Sequence, residues 1–108
     1  MCIRDREERY KNISIQDKGK RFNLDLLEAV ELGFLIELAK VMSVGALHRK
    51  ESRGGHYRED FPKRDDVNFM KHSMVYLDPE SEFEGVKGLR FETKPVVYTR
   101  YEPKERKY

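Results

Sequence analysis

The densest group of chemically competent side chains in this 108-residue chain surrounds two adjacent glycines, Gly54 and Gly55. Paired glycines permit a tight backbone turn with positive φ, and Arg53, His56 and Arg58 flank this pair. Arginine presents a planar fork of donors that matches a carboxylate or a phosphate group. These three side chains are therefore the candidate binding residues of the chain.

A structural ion-pair network is the default interpretation of the same segment. Residues 48–66 carry six Lys or Arg and five Asp or Glu, so the local excess of cations is only one. A network of this composition is satisfied internally and requires no ligand. We call residues 49–66 the Gly-Gly corner, and the sequence leaves both interpretations open.

Metal binding and catalysis find little support in the remaining residues. The histidines are His48, His56 and His72, and none pairs at the i, i+3 or i, i+4 spacing of helical metal ligands. One cysteine excludes a disulfide framework and a Cys-rich zinc site. We assign neither a metal site nor a catalytic residue to this chain.

The overall charge argues against a nucleic-acid partner. The chain has 22 Lys and Arg against 20 Asp and Glu, a net charge of +2. Affinity for phosphates depends on an excess of unpaired cations, and here nearly every cation has an acidic counterpart. No run approaches the roughly 18 to 20 apolar residues that a membrane span needs.

A long helix is predicted from Leu24 to Lys50, directly before the corner. Apolar residues follow the i, i+3, i+4 rhythm of a helix face at its start, and Asn23 is a suitable N-cap. His48 suits the C-terminal end of the helix dipole. A shorter helical stub is predicted over residues 7–13.

The second half of the long helix is apolar almost all round. Between Leu32 and Leu47, 11 of 16 positions are apolar. A helix of this kind is covered on more than one side, yet no second helix of comparable length is visible. We therefore interpret the chain as a fragment whose covering surface belongs to sequence outside it.

The C-terminal part predicts a β-hairpin and an extended tail. Residues 69–77 are rich in strand formers, and Leu89 to Thr93 alternate apolar and polar before Pro95. The segment 78–81, Asp-Pro-Glu-Ser, is predicted to be a turn, and Gly85 and Gly88 punctuate the connection between the strands. The fold class is thus mainly α with a small β part, divided into residues 7–66 and residues 67–108.

The first six residues have a different interpretation. Met1 to Arg6 back-translate as ATG TGT ATA AGA GAC AG, which resembles a transposase adapter used in sequencing libraries. On that interpretation residues 1–6 are adapter read-through, and the native chain extends upstream of Glu7.

Three stretches resemble the C-terminal region of succinate dehydrogenase and fumarate reductase flavoprotein subunits. The first is Arg-Lys-Glu-Ser-Arg-Gly-Gly-His at 49–56, with Arg-Glu-Asp-Phe-Pro at 58–62 and Arg-Asp-Asp at 64–66. The second is Asn-Phe-Met-Lys-His-Ser-Met at 68–74. The third is the Tyr-ending tail at 100–108.

The resemblance implies a role within a larger subunit. In that family the full subunit binds FAD covalently and oxidises succinate to fumarate. Electrons pass to an iron–sulfur subunit and on to quinone. The subunit is expected to lie at the cytoplasmic face of the bacterial inner membrane, held there by a complex that includes membrane-anchor subunits. The flavin-linking, substrate-binding and proton-donating residues lie in earlier domains, so no position here inherits those roles. The fragment alone is not expected to be an enzyme.

The resemblance also implies a location for the candidate residues. The C-terminal domain of the family is a small helical bundle with a partly β tail that packs on the FAD-binding domain. Arg53, His56 and Arg58 are therefore expected to organise the contact with that domain, near the active site.

Three alternatives to a succinate dehydrogenase remain. Fumarate reductase differs in the direction of flux, which this segment does not determine. L-aspartate oxidase carries a similar Glu-Ser-Arg-Gly-x-His motif, but its chains generally end soon after it, whereas 52 residues follow His56 here. The alternative from another class is a free-standing charged interaction module.

Overall fold

The computed structural model describes residues 3–104. The chain falls into two compact units, one ending at Leu47 and the other beginning at His48. The first unit is helical and the second contains the Gly-Gly corner and a β-hairpin. The predicted fold class, mainly α with a small β part, is confirmed.

The long helix α2 spans Leu24–His48, so it ends two residues before the predicted Lys50. Asn23 caps it as predicted, because its Oδ1 accepts a hydrogen bond from the Leu26 amide at 2.9 Å. This bond satisfies one of the amides that a helix leaves without a partner at its N-terminus.

The short helix α1 spans Ile3–Tyr10, earlier than the predicted stub at 7–13. It begins within the six residues interpreted as adapter, and that interpretation stays a prediction. Asp5 lies in its first turn and Arg9 in its last, which suits the helix dipole. After Tyr10 the chain closes in a turn, with the Ile13 amide donating to the Tyr10 carbonyl at 3.3 Å.

Two polar contacts and one close approach join α1 to α2. The Tyr10 hydroxyl donates to the Ala29 carbonyl at 2.8 Å, and Lys40 Nζ lies 3.0 Å from Glu7 Oε1. A Cβ placed on Gly33 would lie 2.6 Å from the Tyr10 hydroxyl oxygen. Glycine at position 33 therefore allows the Tyr10 side chain to cross the surface of α2.

Helix α2 exposes most of its large apolar side chains. Val44 is its one buried residue in the described part of the chain. The exposed group includes Leu24, Leu26, Leu27, Val30, Leu32, Phe34, Leu35, Leu38, Met42 and Leu47. The helix thus keeps the apolar surface that the sequence predicts, without a covering layer among the described residues of its own unit. No helix of the described residues 3–104 is long and apolar enough to cross a membrane.

The second unit contains one antiparallel hairpin, β1 (Lys71–Phe83) and β2 (Val86–Pro95). The chain reverses at Glu84 and Gly85, whose φ angles are 50° and 75°. Two-residue hairpin loops with positive φ at both positions match the right-handed twist of the strands. The predicted connection is therefore confirmed at Gly85, but it was wrong to include residues 78–81 and Gly88, which lie within the strands.

The Asp-Pro-Glu-Ser segment forms an irregularity inside β1 instead. Pairing is regular up to Leu77 opposite Leu89 and resumes with Glu82 opposite Lys87. Asp78 accepts hydrogen bonds from the Glu80 amide at 3.2 Å and the Ser81 hydroxyl at 2.9 Å. The hydrogen bonds of Asp78 thus form a local turn within the strand. This turn produces a bulge and not a reversal, because Glu82 and Phe83 continue the pairing with β2.

An aromatic cluster and Leu89 form the centre of the second unit. Leu89 is 1% exposed. Phe83 and Phe91 stack at 4.4 Å between ring centroids, and the ring of His48 lies 4.4 Å from Phe91. His48, the last residue of α2, therefore packs against the hairpin, in addition to its position at the negative end of the helix dipole. After Pro95 the described tail to residue 104 has no regular secondary structure, and 105–108 lie outside the described residues.

Candidate functional site

The Gly-Gly corner is built on a two-residue reversal between Arg53 and His56. The Arg53 amide donates to the His56 carbonyl at 2.8 Å, and the His56 amide donates to the Arg53 carbonyl at 3.0 Å. Gly54 adopts φ +57°, whereas Gly55 does not adopt positive φ. Only Gly54 needs the conformational freedom of glycine for its φ angle. The predicted tight turn is therefore confirmed.

Glu51 is the hub of the corner. Its side chain is 0% exposed, and Arg53 meets it with two donors, Nε at 2.9 Å from Oε1 and Nη2 at 3.1 Å from Oε2. Arg49 Nη1 also donates to Oε1, and the Asp65 amide donates to Oε2 at 2.9 Å. A buried carboxylate is tolerated because donors surround both oxygens.

Arg49 connects this hub to the start of the hairpin. Its Nη1 donates to the Phe69 carbonyl at 2.9 Å, and its Nη2 donates to the Lys71 carbonyl at 2.8 Å and to the Ser73 hydroxyl at 3.2 Å. The guanidinium also lies 5.7 Å from the centroid of the Phe69 ring. A single side chain thus fixes the first residues of β1 relative to Glu51.

Asp66 extends the network on the other side. One carboxylate oxygen, Oδ1, accepts from Arg53 Nη2 at 2.5 Å, and the other, Oδ2, accepts from Arg64 Nη2 at 2.8 Å. Arg64 Nη1 in turn donates to the Lys104 carbonyl at 3.1 Å. The ion pairs therefore run from the Gly-Gly turn to the C-terminal tail.

Arg58 forms a second, more exposed pair. Its Nε and Nη2 lie 2.9 and 2.6 Å from the two oxygens of Asp60, whose side chain is 59% exposed. Its Nη1 donates to the Arg49 carbonyl at 3.2 Å, and its guanidinium lies 5.0 Å from the centroid of the Phe61 ring. Arg58 is therefore engaged with the corner itself.

His56, the last residue of the turn, hydrogen-bonds to the backbone of Arg49. Its Nε2 lies 3.3 Å from the Arg49 carbonyl oxygen, so Nε2 carries the proton and donates. The same carbonyl accepts from Arg58 Nη1. Two of the three predicted residues thus converge on one backbone oxygen at the end of α2.

The ion pairs of the corner shift the pKa values of Glu51, Arg53 and Asp66 so that the charged form of each is favoured. Burial raises the pKa of Glu51, but the hydrogen bonds from Arg53, the Asp65 amide and Arg49 together hold that pKa below its ordinary value of 4.5. Hydrogen bonding to Glu51, more than to Asp66, raises the pKa of Arg53. The hydrogen bond from Arg53 lowers the pKa of Asp66. Glu51, Asp66 and Arg53 are therefore all ionised at neutral pH.

The structure brings Arg53, His56 and Arg58 together, but it also shows that their donors are engaged within the corner. Glu51, Arg49 and Asp66, which arrange them, were expected as members of the default ion-pair network but not as candidate site residues. The spacing Arg49-x-Glu51-x-Arg53 was the available signal, because alternate residues of an extended segment lie on one side of the backbone. Within residues 3–104, no group of three His, Cys, Asp or Glu side chains could hold a metal ion.

The chain matches a family model over nearly its whole length. Residues 2–108 match the family described as "Fumarate reductase flavoprotein C-term". The fumarate reductase flavoprotein subunit of Haemophilus influenzae is 39% identical over 106 residues, which cover 98% of this chain and 17% of that protein. The 8-methylmenaquinol:fumarate reductase flavoprotein subunit of Wolinella succinogenes is 43% identical over 102 residues, covering 94% of this chain and 16% of that protein.

Two further similarities agree with that match. The succinate dehydrogenase flavoprotein subunit of Rickettsia felis is 42% identical over 90 residues, covering 83% of this chain and 14% of that protein. A solved structure of an Escherichia coli quinol fumarate reductase variant superimposes with a TM-score of 0.80 at 36% identity, covering 95% of this chain and 17% of that one. The chain thus spans less than a fifth of the length of these relatives. It belongs to the family of fumarate reductase and succinate dehydrogenase flavoprotein subunits and corresponds to their C-terminal part.

Proposed function

We propose that this chain is the C-terminal domain of a flavoprotein subunit that interconverts succinate and fumarate. FAD would be bound by a domain upstream of it, and this domain would pack on that FAD-binding domain without supplying a catalytic residue. The observation that carries the proposal is the family match over residues 2–108, together with the structural similarity to quinol fumarate reductase.

The geometry of the corner supports a role in domain contact. Arg53 donates hydrogen bonds to Glu51 and Asp66. Arg58 donates to Asp60. Because these carboxylates already use the donors of both guanidinium groups, neither group is available for bidentate binding of a ligand. Residues Arg53, His56 and Arg58 would therefore organise a fixed surface toward the FAD-binding domain. This role agrees with the internally satisfied ion-pair network better than direct flavin or substrate binding does.

The exposed apolar surface of α2 supports the same proposal. Contiguous exposed apolar surface marks an interaction site in soluble proteins, and α2 leaves Phe34, Leu35, Leu38 and Met42 more than half exposed. The remainder of the subunit, which makes up most of the length of the relatives, would cover these side chains.

The proposal also concerns the direction in which the complete subunit catalyses the reaction, fumarate reduction or succinate oxidation. The resemblance alone placed succinate dehydrogenase first, but most related subunits carry the name fumarate reductase. We therefore favour fumarate reduction, with succinate oxidation as the second candidate. Partners would be an iron–sulfur subunit and membrane-anchor subunits, with the complex at the cytoplasmic face of the bacterial inner membrane.

The genomic reading frame around this sequence tests the proposal first. We expect it to extend upstream through a dinucleotide-binding domain, and the purified product to contain bound FAD. A reading frame that encodes only this chain, with a soluble and cooperatively folding product, would support the free-standing interaction module instead.

The ratio of the two activities tests the direction. The assembled complex should reduce fumarate with a low-potential dye faster than it oxidises succinate with a high-potential dye. A ratio in favour of succinate oxidation would assign the complex to the succinate dehydrogenases without removing it from the family.

A further inference from the structure

Glu51 differs from every other charged side chain in the described residues 3–104, because it alone is fully buried. Both of its oxygens are occupied, Oε1 by Arg49 and Arg53, and Oε2 by Arg53 and the Asp65 amide. The site is therefore a buried carboxylate whose donors come from two segments of the second unit, residues 49–53 and residue 65.

Each arginine that Glu51 holds reaches a different part of the fold. Arg49 continues to the Phe69 and Lys71 carbonyls at the start of β1. Arg53 begins the Gly-Gly turn and continues to Asp66, which also binds Arg64. Removing the carboxylate would take the shared ion-pair partner from both guanidinium groups at once, leaving Arg49 with its carbonyl partners and Arg53 with Asp66.

A buried ion pair adds little net stability to a fold. Well-packed apolar residues of similar volume are often as stabilising as a buried pair or more so, since charges are costly to remove from water. The pair instead sets the orientation of the arginine side chain, because a bidentate arginine–carboxylate contact fixes the plane of the guanidinium. Here one carboxylate sets the orientation of two arginines.

We propose that Glu51 is a positioning residue, which acts through Arg53 to present the Gly-Gly corner to the FAD-binding domain in a single orientation. This inference rests on the proposed function, since it concerns how that contact is set up. Glu51 itself, being buried within the second unit, touches neither flavin nor substrate.

Glu51→Gln in the complete subunit, assembled with its partners, tests this inference. Glutamine keeps the size of the side chain and one acceptor oxygen, but its NH₂ group would face arginine donors. We expect the variant to lose most of its bound flavin and to show an altered flavin absorbance spectrum in the fraction that retains it. Glu92→Gln, which alters an exposed pair with Arg90 in the hairpin, is the matched control and should retain wild-type flavin content.

A double-mutant cycle separates positioning from a purely structural role. If Glu51 acts through Arg53, Glu51→Gln should cause no further loss of flavin in an Arg53→Ala background, because the group it positions is already absent. Independent, additive losses of flavin in the two backgrounds would overturn the inference. So would a folded Glu51→Gln variant with the flavin content and spectrum of the wild type.

Glu51→Asp keeps the test decisive if Glu51→Gln does not fold. Aspartate retains the charge but shortens the side chain by one methylene, so it cannot reach Arg53 and the Asp65 amide together. We expect folded protein with reduced flavin content, and full flavin content would contradict the inference. Wild-type protein that carries no flavin at all would instead refute the proposed function.

Discussion

The guanidinium of Arg53 meets the carboxylate of Glu51 edge to edge, with Nε 2.9 Å from Oε1 and Nη2 3.1 Å from Oε2. One residue, Ser52, lies between them in the sequence, and Gly54 follows directly after Arg53. The pair therefore joins a buried carboxylate to the Gly-Gly turn.

The Gly-Gly turn should tolerate alanine at one position and resist it at the other. Gly54 has φ +57°, where an L-residue costs about 1–2 kcal/mol, whereas Gly55 does not have positive φ. Neither Cβ would meet an atom within 4 Å, so the backbone alone decides the difference. Gly54→Ala should raise hydrogen exchange at the Arg53 and His56 amides by about 5- to 30-fold. Gly55→Ala is the matched control, and equal exchange in the two variants would contradict the assigned turn.

Stability should depend on pH through Glu51. Its pKa in the folded state lies below the ordinary value of 4.5, so its ionised form stabilises the fold at pH values above 4.5. That stabilisation is lost as the pH falls through the lower, folded-state pKa. The melting temperature of the complete subunit should therefore exceed that of Glu51→Gln at neutral pH, with the difference shrinking in acid. A difference that grew on acidification would show that the sign is wrong.

Removing both candidate arginines should weaken the contact with the FAD-binding domain. In the complete subunit, Arg53→Ala combined with Arg58→Ala is expected to lower FAD retention or assembly with the partner subunits. Arg90→Ala, which removes an exposed arginine lying 4.5 Å over the Tyr76 ring, is the control for loss of a cation. Flavin content and turnover that remain unchanged in the double variant would refute a role for Arg53 and Arg58 in the contact.

A side chain at position 33 should disturb the contact between α1 and α2. The added Cβ of Gly33→Ala would displace Tyr10, whose hydroxyl donates to Ala29, at a cost of about 1 kcal/mol for the lost hydrogen bond. Amide exchange across α1 in the complete subunit should rise accordingly. Tyr10→Phe removes the same bond without adding a Cβ, so fully additive effects of the two changes would mean that Gly33→Ala does not act through Tyr10.

The apolar surface of α2 should not tolerate charge in the complete subunit. Leu35 and Met42 are 60% and 72% exposed, so Leu35→Asp or Met42→Asp disturbs little among the described residues of the helical unit. Covered by the rest of the subunit, an unpaired carboxylate would cost several kcal/mol. The yield of assembled, flavin-bearing complex should therefore fall. Glu28→Lys is the control on an exposed position, and wild-type yields for both aspartate variants would show that this surface is uncovered.

Sequence reasoning worked where one local pattern dominates. The N-cap at Asn23, the long helix, the paired strands and the tight turn at Gly54 each follow from residues that are close in the chain. The connection between the strands was predicted to begin at Asp78 because Asp78 to Ser81 carry strong turn residues, yet the ladder resumes beyond them and reverses at Glu84 and Gly85. Turn propensity alone does not determine where a hairpin reverses.

The arrangement of the site depended on contacts that no local pattern contains. The default interpretation of the corner, a structural ion-pair network, agrees with the structure, but its pairings were not predicted. Arg53 pairs with Glu51, two positions before it, and with Asp66, thirteen positions after it. The second partner requires the chain to fold back, which charge counting does not predict. Resemblance to the flavoprotein family supplied the functional context that composition and spacing left open.

Fumarate-dependent oxidation of a reduced dye by the complete native subunit is the most direct test of the account. The subunit encoded by the full reading frame should be purified with its partner subunits, and its flavin content and turnover measured together. We predict bound FAD and fumarate turnover that depends on it. A complete, folded protein that carries this domain but has neither flavin nor activity toward fumarate or succinate would contradict the account.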